Sequence, residues 1–115
     1  MGSKELREPT FLVLAALANG PQHGYALMQS IQESTDGEIT LRPGTLYTAL
    51  DRLTADGLIT VTGEEIVDGR PRRYYDLTED GGARLTEAVD RMEARARAAR
   101  AALALHQSHA GAARV

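Results

Sequence analysis

The clearest pattern along the chain is a helical repeat of apolar residues between positions 42 and 59. Its apolar members recur at the spacing that gathers side chains on one face of a helix: Leu46, Ala49, Leu50 and Leu53. The other face carries side chains that suit a polar partner: Thr45, Tyr47, Thr48, Asp51 and Arg52. Pro43 suits the first turn, and Gly57 suits a left-handed stop after the last one. We therefore expect a helix with one buried face and one exposed polar face.

Two helices are predicted before this one. Residues 9–18 are apolar on all sides, so we expect a helix that covers its own domain on one side and meets a second subunit on the other. Residues 23–34 form the second helix, with an apolar set of Tyr25, Leu27, Met28 and Ile31. Turn residues at positions 19–21 and 35–37 separate the three helices.

After position 57 the period of the apolar residues changes to that of a strand. Ile59 and Val61, and later Tyr75 and Leu77, alternate with polar residues and predict two half-buried strands. Asp68-Gly69 supplies the turn, and the sequence GRPRR, from position 69, lies at the predicted tip. A helix followed by a strand and a basic loop is the order of a winged helix-turn-helix. The predicted fold is therefore mainly α with a small β-hairpin.

The last predicted element is a long helix with Thr78 as its N-cap and two acidic residues in its first turn. Residues at coiled-coil spacing form a seam along it, namely Leu85, Val89, Met92, Ala96, Ala99, Leu103 and His106. Such a seam is typical of a helix that packs against a partner helix. The expected organisation is a winged helix domain over residues 1–77, in which helix 9–18 also joins a dimer, a dimerisation helix over 78–106 and a frayed tail over 107–115.

Composition narrows the class of protein. The 115 residues suffice for a single domain, and no apolar run reaches the roughly 20 residues that a membrane span needs. The chain has no cysteine and no apolar leader, so we expect a cytoplasmic protein. Its net charge of −3 does not favour nucleic-acid binding. A positive surface has to come from a local group of arginines, namely Arg42, Arg52, Arg70, Arg72 and Arg73.

Residues suited to catalysis or metal binding are not grouped in the sequence. The acidic residues around the turns have no His or Ser in an arrangement that indicates acid-base or nucleophilic chemistry, and the glycines form no phosphate-binding loop. His106 and His109 are spaced to share a metal ion, but without a third ligand they fit a frayed polar tail better. We therefore predict no enzymatic activity, no cofactor and no metal.

Four blocks of sequence occur in a particular order: FLVLAAL from position 11, GPQHGYAL from 20, PGTLYTALDRLTADGLI from 43 and GRPRRYYDLTEDG from 69. Together they resemble the PadR family of bacterial transcriptional regulators, in its short subgroup with a single C-terminal helix. The resemblance implies a homodimeric winged-helix repressor. Such a repressor binds double-stranded DNA at a palindromic operator and releases it when a small molecule binds near the dimer interface.

The resemblance also implies roles for individual residues. Those implied to contact DNA are Tyr25, Thr45, Tyr47, Thr48, Arg52, Arg70, Arg72 and Arg73, to which the grouping of charge adds Arg42. Met92 matches the position of an aromatic residue that holds planar drugs in related members, whereas this chain has no tryptophan. We expect instead an adaptable apolar effector pocket formed by Phe11, Ala88, Val89 and Met92. Dimerisation is assigned to Leu12, Leu85, Val89, Met92, Ala96, Ala99 and Leu103.

Each assignment has a plainer alternative. Tyr47 can simply pack its ring at the domain surface, and the ring of Tyr25 can belong to the core while its hydroxyl reaches outward. Arg52 can pair with a neighbouring carboxylate. The wing arginines can form an ordinary solvated loop. For the whole chain, the acidic net charge leaves a second function open. The chain can be a winged-helix module that binds a protein or a ligand without significant DNA affinity.

Overall fold

Four helices and three strands form the part of the chain that the structure, a computed structural model, describes: residues 5–113, with side chains to residue 110. In chain order they are α1 (Glu8–Leu17), β1 (Gln22–His23), α2 (Gly24–Ser34), α3 (Pro43–Ala55), β2 (Ile59–Val67), β3 (Arg70–Leu77) and α4 (Glu79–Ala113). The strands form one antiparallel sheet in the order β1-β3-β2. This order of elements confirms the predicted fold class, a winged helix domain followed by a long helix.

The core lies between the first three helices and the base of the sheet. α3 buries its whole predicted apolar face, Leu46, Ala49, Leu50 and Leu53. Other elements contribute further buried side chains, among them Val13, Leu14, Leu17, Leu27, Ile31, Ile59 and Tyr75. Full burial of one such aliphatic side chain stabilises a fold by about 1.5–3 kcal/mol. The polar face of α3 is therefore held in position by the packing of the opposite face.

The two sides of α1 differ in burial within a single chain. Val13, Leu14 and Leu17 are buried, whereas Phe11 and Leu12 are half-buried. The half-buried residues include Leu12, which the sequence analysis assigns to a dimer.

One predicted member of the α2 core is wrong. Tyr25 does not belong to the buried face, because its side chain is 60% exposed. Leu27 and Ile31, four residues apart, define that face. Tyr25 comes two positions before Leu27 and so lies on the other side of the helix.

The sheet has one strand more than predicted. Gln22 and His23 pair with Tyr75 and Tyr74 of β3, a contact too short to leave an alternating pattern in the sequence. His23 is also the N-cap of α2, since its Nδ1 accepts a hydrogen bond from the Ala26 N–H at 3.3 Å. The second helix therefore begins at Gly24, one residue later than predicted, and is joined to the wing through β1.

The strands of the wing extend further than predicted, which changes where the arginines lie. The turn Asp68-Gly69 has positive φ at both residues, 52° and 75°. A turn of this kind follows the natural twist of paired strands, so the pairing continues up to the turn. The three arginines therefore lie on β3 and not in a loop at the tip. Two of them have acidic cross-strand partners, Arg72 opposite Glu65 and Arg73 opposite Glu64.

α4 begins as predicted and ends later. The Thr78 hydroxyl accepts a hydrogen bond from the Gly81 N–H at 3.0 Å and donates one to the Gly57 carbonyl at 2.7 Å. Residues 107–113 are helical rather than frayed, and positions 114 and 115 of the predicted tail lie outside the described residues. By its internal contacts the chain divides into two compact units, Met1–Leu85 and Thr86–Val115. Between residues 5 and 113, no helix combines the length and the apolar character needed to cross a membrane.

Candidate nucleic-acid interface

The outer face of α3 is exposed along its length. All five residues of the predicted polar face are solvent-exposed, namely Thr45, Tyr47, Thr48, Asp51 and Arg52. Arg42 precedes the helix as its N-cap residue and is exposed as well. Because four apolar side chains on the opposite face pack into the core, the position of this outer face is fixed.

One side of α3 faces the wing across a cleft of about 810 Å³, which we call the wing cleft. Its lining combines the start of α2, the middle of α3 and the outer part of the hairpin, and includes Tyr25, Tyr47, Asp51, Glu64, Asp68, Arg70, Arg72 and Arg73. The structure thus brings together both predicted tyrosines and all three predicted wing arginines.

A close contact sets the position of Tyr47. A Cβ atom added at Gly24 would lie 2.7 Å from Tyr47 Oη and 3.2 Å from its Cζ, well inside van der Waals contact. The end of the ring therefore rests against the first residue of α2, and only glycine leaves room for it there. Nothing in the sequence spacing indicated this contact, because the two residues belong to different helices.

The other predicted residues of α3 face a second cleft, of about 330 Å³, between α3 and the beginning of α1. We call it the α1 cleft. It is lined by Arg7, Pro9, Thr10, Gly44, Thr45, Thr48, Ala49 and Arg52. The predicted contact residues of α3 are thus divided, with Tyr47 in the wing cleft and Thr45, Thr48 and Arg52 in the α1 cleft. Arg7 was missed by the sequence analysis, although its place just before the Pro9 helix start could have drawn attention to it.

The two clefts differ in charge. In the wing cleft the three arginines share the lining with three carboxylates, those of Asp51, Glu64 and Asp68. In the α1 cleft the described lining holds Arg7 and Arg52 and no carboxylate. The charged residues that line the cleft are therefore of both signs on the wing side of α3 and only positive on the α1 side.

A small network connects the wing to the start of α2. The rings of His23 and Tyr74 meet edge to face with centroids 5.4 Å apart, and the Tyr74 hydroxyl donates a hydrogen bond to the Glu65 carboxylate. That hydrogen bond is the main reason why the pKa of Tyr74 is raised. Burial, and then the positive charge of Arg72, lower the pKa of His23, while Glu65 opposes the shift. The lowered pKa favours the neutral imidazole, whose Nδ1 can act as the acceptor that caps α2.

The residues assigned to an effector and to dimerisation lie in both units of the chain. Phe11 belongs to the first unit; Ala88, Val89 and Met92 belong to the second. Ala88 is buried, whereas most of the seam that follows it is exposed, including Val89, Met92, Ala96, Ala99 and Leu103. Within the part of the chain that the structure describes, no three His, Cys, Asp or Glu residues are placed to hold a metal ion.

Comparison with known proteins identifies relatives of the chain. The model of the Transcriptional regulator PadR-like family matches residues 13–87. Transcriptional regulator Rv3488 of Mycobacterium tuberculosis is 45% identical over 75 residues, which are 65% of this chain and 66% of that protein. Transcriptional regulator YqjI of Escherichia coli is 35% identical over 92 residues, 80% of this chain but only 41% of that protein.

The fold also matches solved structures. One is Bacillus subtilis PadR, solved in complex with operator DNA. It superimposes with a TM-score of 0.65 at 24% sequence identity, over 72% of this chain and 47% of that one. At this level of identity the likeness shows a shared fold.

Proposed function

Because this chain belongs to the PadR-like family of transcriptional regulators, we propose that it is a homodimeric repressor that binds a palindromic operator and releases it when a small apolar effector binds. A regulator of this family acts through DNA and not as an enzyme. The observation that carries the proposal is the meeting of Tyr47 on α3 with the three wing arginines around one cleft. Bacillus subtilis PadR, which shares this fold, was solved in complex with operator DNA, and this supports DNA binding as the function.

In the proposed complex α3 enters the major groove. Thr45 and Thr48, on its exposed face, reach base edges, while Tyr47 and Tyr25 contact the backbone. Arg70, Arg72 and Arg73 follow phosphates or the neighbouring minor groove, and Arg42 and Arg52 add charge near the helix. These contacts would divide the surface into residues that read the sequence and residues that hold the duplex.

The proposed dimer explains the exposed seam of α4. Met92 and Leu103 are 47% and 58% exposed in the single chain, and a partner helix at coiled-coil spacing would cover both. A two-fold dimer places its two recognition helices about 34 Å apart, one turn of the duplex. For the effector, Phe11, Ala88, Val89 and Met92 remain the proposed residues, because a thioether adapts to apolar molecules of several shapes.

The experiment that tests the proposal is fluorescence anisotropy with the full chain, DNA from upstream of its own gene and a scrambled duplex, at low and physiological salt. We expect a preference of about 10³-fold or more for the native duplex. Arg72→Ala should weaken binding to both duplexes by a similar factor, whereas Thr48→Ala should change the preference for one duplex over the other.

A second candidate function is a winged-helix module that binds a protein or a ligand. The net charge of −3 and the mixed charges of the wing cleft favour it. The same titration separates the two, since binding through phosphates must weaken steeply with salt. Absence of any salt-sensitive binding to either duplex would overturn the repressor proposal and favour the module.

A further inference from the structure

The α1 cleft contains an arginine that the family resemblance does not assign. Arg7 lies immediately before α1, is exposed, and shares the cleft with Arg52, Thr45 and Thr48 of α3. The acidic neighbour of Arg52, Asp51, lines the wing cleft on the other side of the helix. Two arginines and two exposed threonines therefore line one opening of about 330 Å³.

The backbone of Arg7 is held in place by the helix that follows it. Its carbonyl oxygen accepts two hydrogen bonds, from the Thr10 hydroxyl at 2.8 Å and from the Phe11 N–H at 2.9 Å. Thr10 is itself a buried polar residue. A buried hydroxyl that satisfies a neighbouring carbonyl keeps this turn in one conformation. Arg7 thus starts from an ordered position, and less entropy is lost when its side chain binds a ligand.

The geometry of a helix in DNA indicates what the cleft would meet. An α-helix with its side chains is about 10–12 Å wide, and the major groove is about 12 Å wide. When α3 occupies the groove, each of its flanks faces one wall, and both walls are lined with phosphates. The wing cleft lies on one flank and the α1 cleft on the other.

We propose that Arg7 binds a backbone phosphate of the DNA strand on the α1 side of α3, that Arg52 shares this phosphate, and that Thr10 positions Arg7. The inference rests on the proposed function, and it assigns to α1 a share of DNA binding in addition to dimerisation. It also accounts for binding by an acidic chain, because the positive charge of the α1 cleft is not offset within its lining.

The test measures the affinity of Arg7→Gln for any duplex as a function of salt. Losing one phosphate contact should reduce the magnitude of the negative slope of log K, where K is the DNA-binding constant, against log salt by about 0.9. We expect affinity at low salt to fall about tenfold, by the same factor for native and scrambled duplexes. Arg7→Lys should keep the slope because it keeps the charge. Arg97→Gln is the matched control, since it removes an exposed arginine from α4.

Thr10→Val tests the positioning role. The variant keeps every charge, so an unchanged salt dependence would mean that Arg7 still reaches the phosphate. We expect instead a shallower salt dependence and about threefold weaker DNA binding. In the Arg7→Gln background the same change should have no further effect on DNA affinity, a non-additivity that a general loss of stability would not produce.

The outcomes are distinguishable. If the wild type binds with a steep salt dependence and Arg7→Gln keeps the same slope, the inference is overturned and the repressor proposal stands. If the wild type shows no salt-sensitive binding to any duplex, the proposed function fails and the inference falls with it.

Discussion

The two units of the chain differ in how far they bury their own apolar residues. In the first unit large side chains such as Leu14, Leu27 and Leu50 are inaccessible to solvent. In the second unit, among residues 86–110, Ala88 alone is buried, while Leu103 and Leu105 are 58% and 62% exposed. The winged helix domain therefore completes a core by itself, whereas the later part of α4 leaves its apolar residues exposed in the single chain. Stability of the fold and assembly of the proposed dimer should accordingly respond to different substitutions.

The largest effect is expected from Gly81→Ala, which tests the core of the first unit. A Cβ atom at this position would lie 1.9 Å from the Leu58 carbonyl oxygen and 2.9 Å from Leu77 Cδ1. Because the nearer atom belongs to the backbone, the first turn of α4 would have to move. We expect a loss of about 3 kcal/mol in the free energy of unfolding, measured by chemical denaturation at fixed protein concentration.

Gly82→Ala is the matched control for that experiment. Its Cβ atom would meet only Leu77 Cδ2, at an ordinary 3.8 Å. Since alanine favours a helix over glycine by about 1 kcal/mol, this variant should be as stable as the wild type or more stable. Equal destabilisation by both variants would contradict the close approach of α4 to Leu58.

The next largest effect should come from a charge in the α4 seam. In a dimer, Ala99→Glu would place two carboxylates against each other in a desolvated interface, whereas Ala101→Glu would place the same group on the back of the helix. Both alanines are exposed in the single chain. We expect Ala99→Glu to weaken association about 30-fold, or 2 kcal/mol, in sedimentation equilibrium. Identical association constants for the two variants would show that the seam is not the interface.

A third substitution tests the close contact between Gly24 and Tyr47, which lies at the candidate site and not in the core. Gly24→Ala should displace the Tyr47 ring, whose Oη and Cζ are the atoms nearest to the added carbon. The end of an exposed side chain can move, so we expect little change in stability but about tenfold weaker DNA binding. Tyr47→Phe removes the atom nearest to the added carbon. The loss of DNA affinity in the double variant should therefore be smaller than the sum of the losses in the two single variants. Strict additivity in anisotropy titrations would argue against the contact.

The smallest effect should be on the pH dependence of stability. Burial and Arg72 lower the pKa of His23 in the folded chain, so the unfolded chain binds a proton more readily. The stabilisation is complete above the ordinary histidine pKa of 6.5 and is lost as the pH falls below it, when protonation also removes the Nδ1 acceptor that caps α2. His23→Asn keeps an N-cap acceptor but cannot titrate. Thermal unfolding between about pH 7.5 and 5.5 should therefore vary less in this variant than in the wild type.

Much of the fold could be predicted because it depends on neighbours in the chain. The spacing of Leu46, Leu50 and Leu53 defined the buried face of α3, and Thr78 defined the start of α4, since helix faces and caps are set within a few residues. β1 was missed because two residues cannot show a period. The sequence predicts strands shorter than β2 and β3, because a basic stretch beside a turn favours a loop, whereas the Asp68-Gly69 turn allows pairing up to the tip.

By itself, the sequence determined the elements, their buried faces, the order of a winged helix and the resemblance to a family. Only the tertiary structure decided which polar residues meet. It separated Tyr47 from Thr45 and Thr48 by placing different elements on the two flanks of α3. It also brought Arg7 close to α3 and Gly24 against the end of the Tyr47 side chain. Periodicity specifies the face on which a side chain lies, but the packing of distant elements determines what stands opposite it.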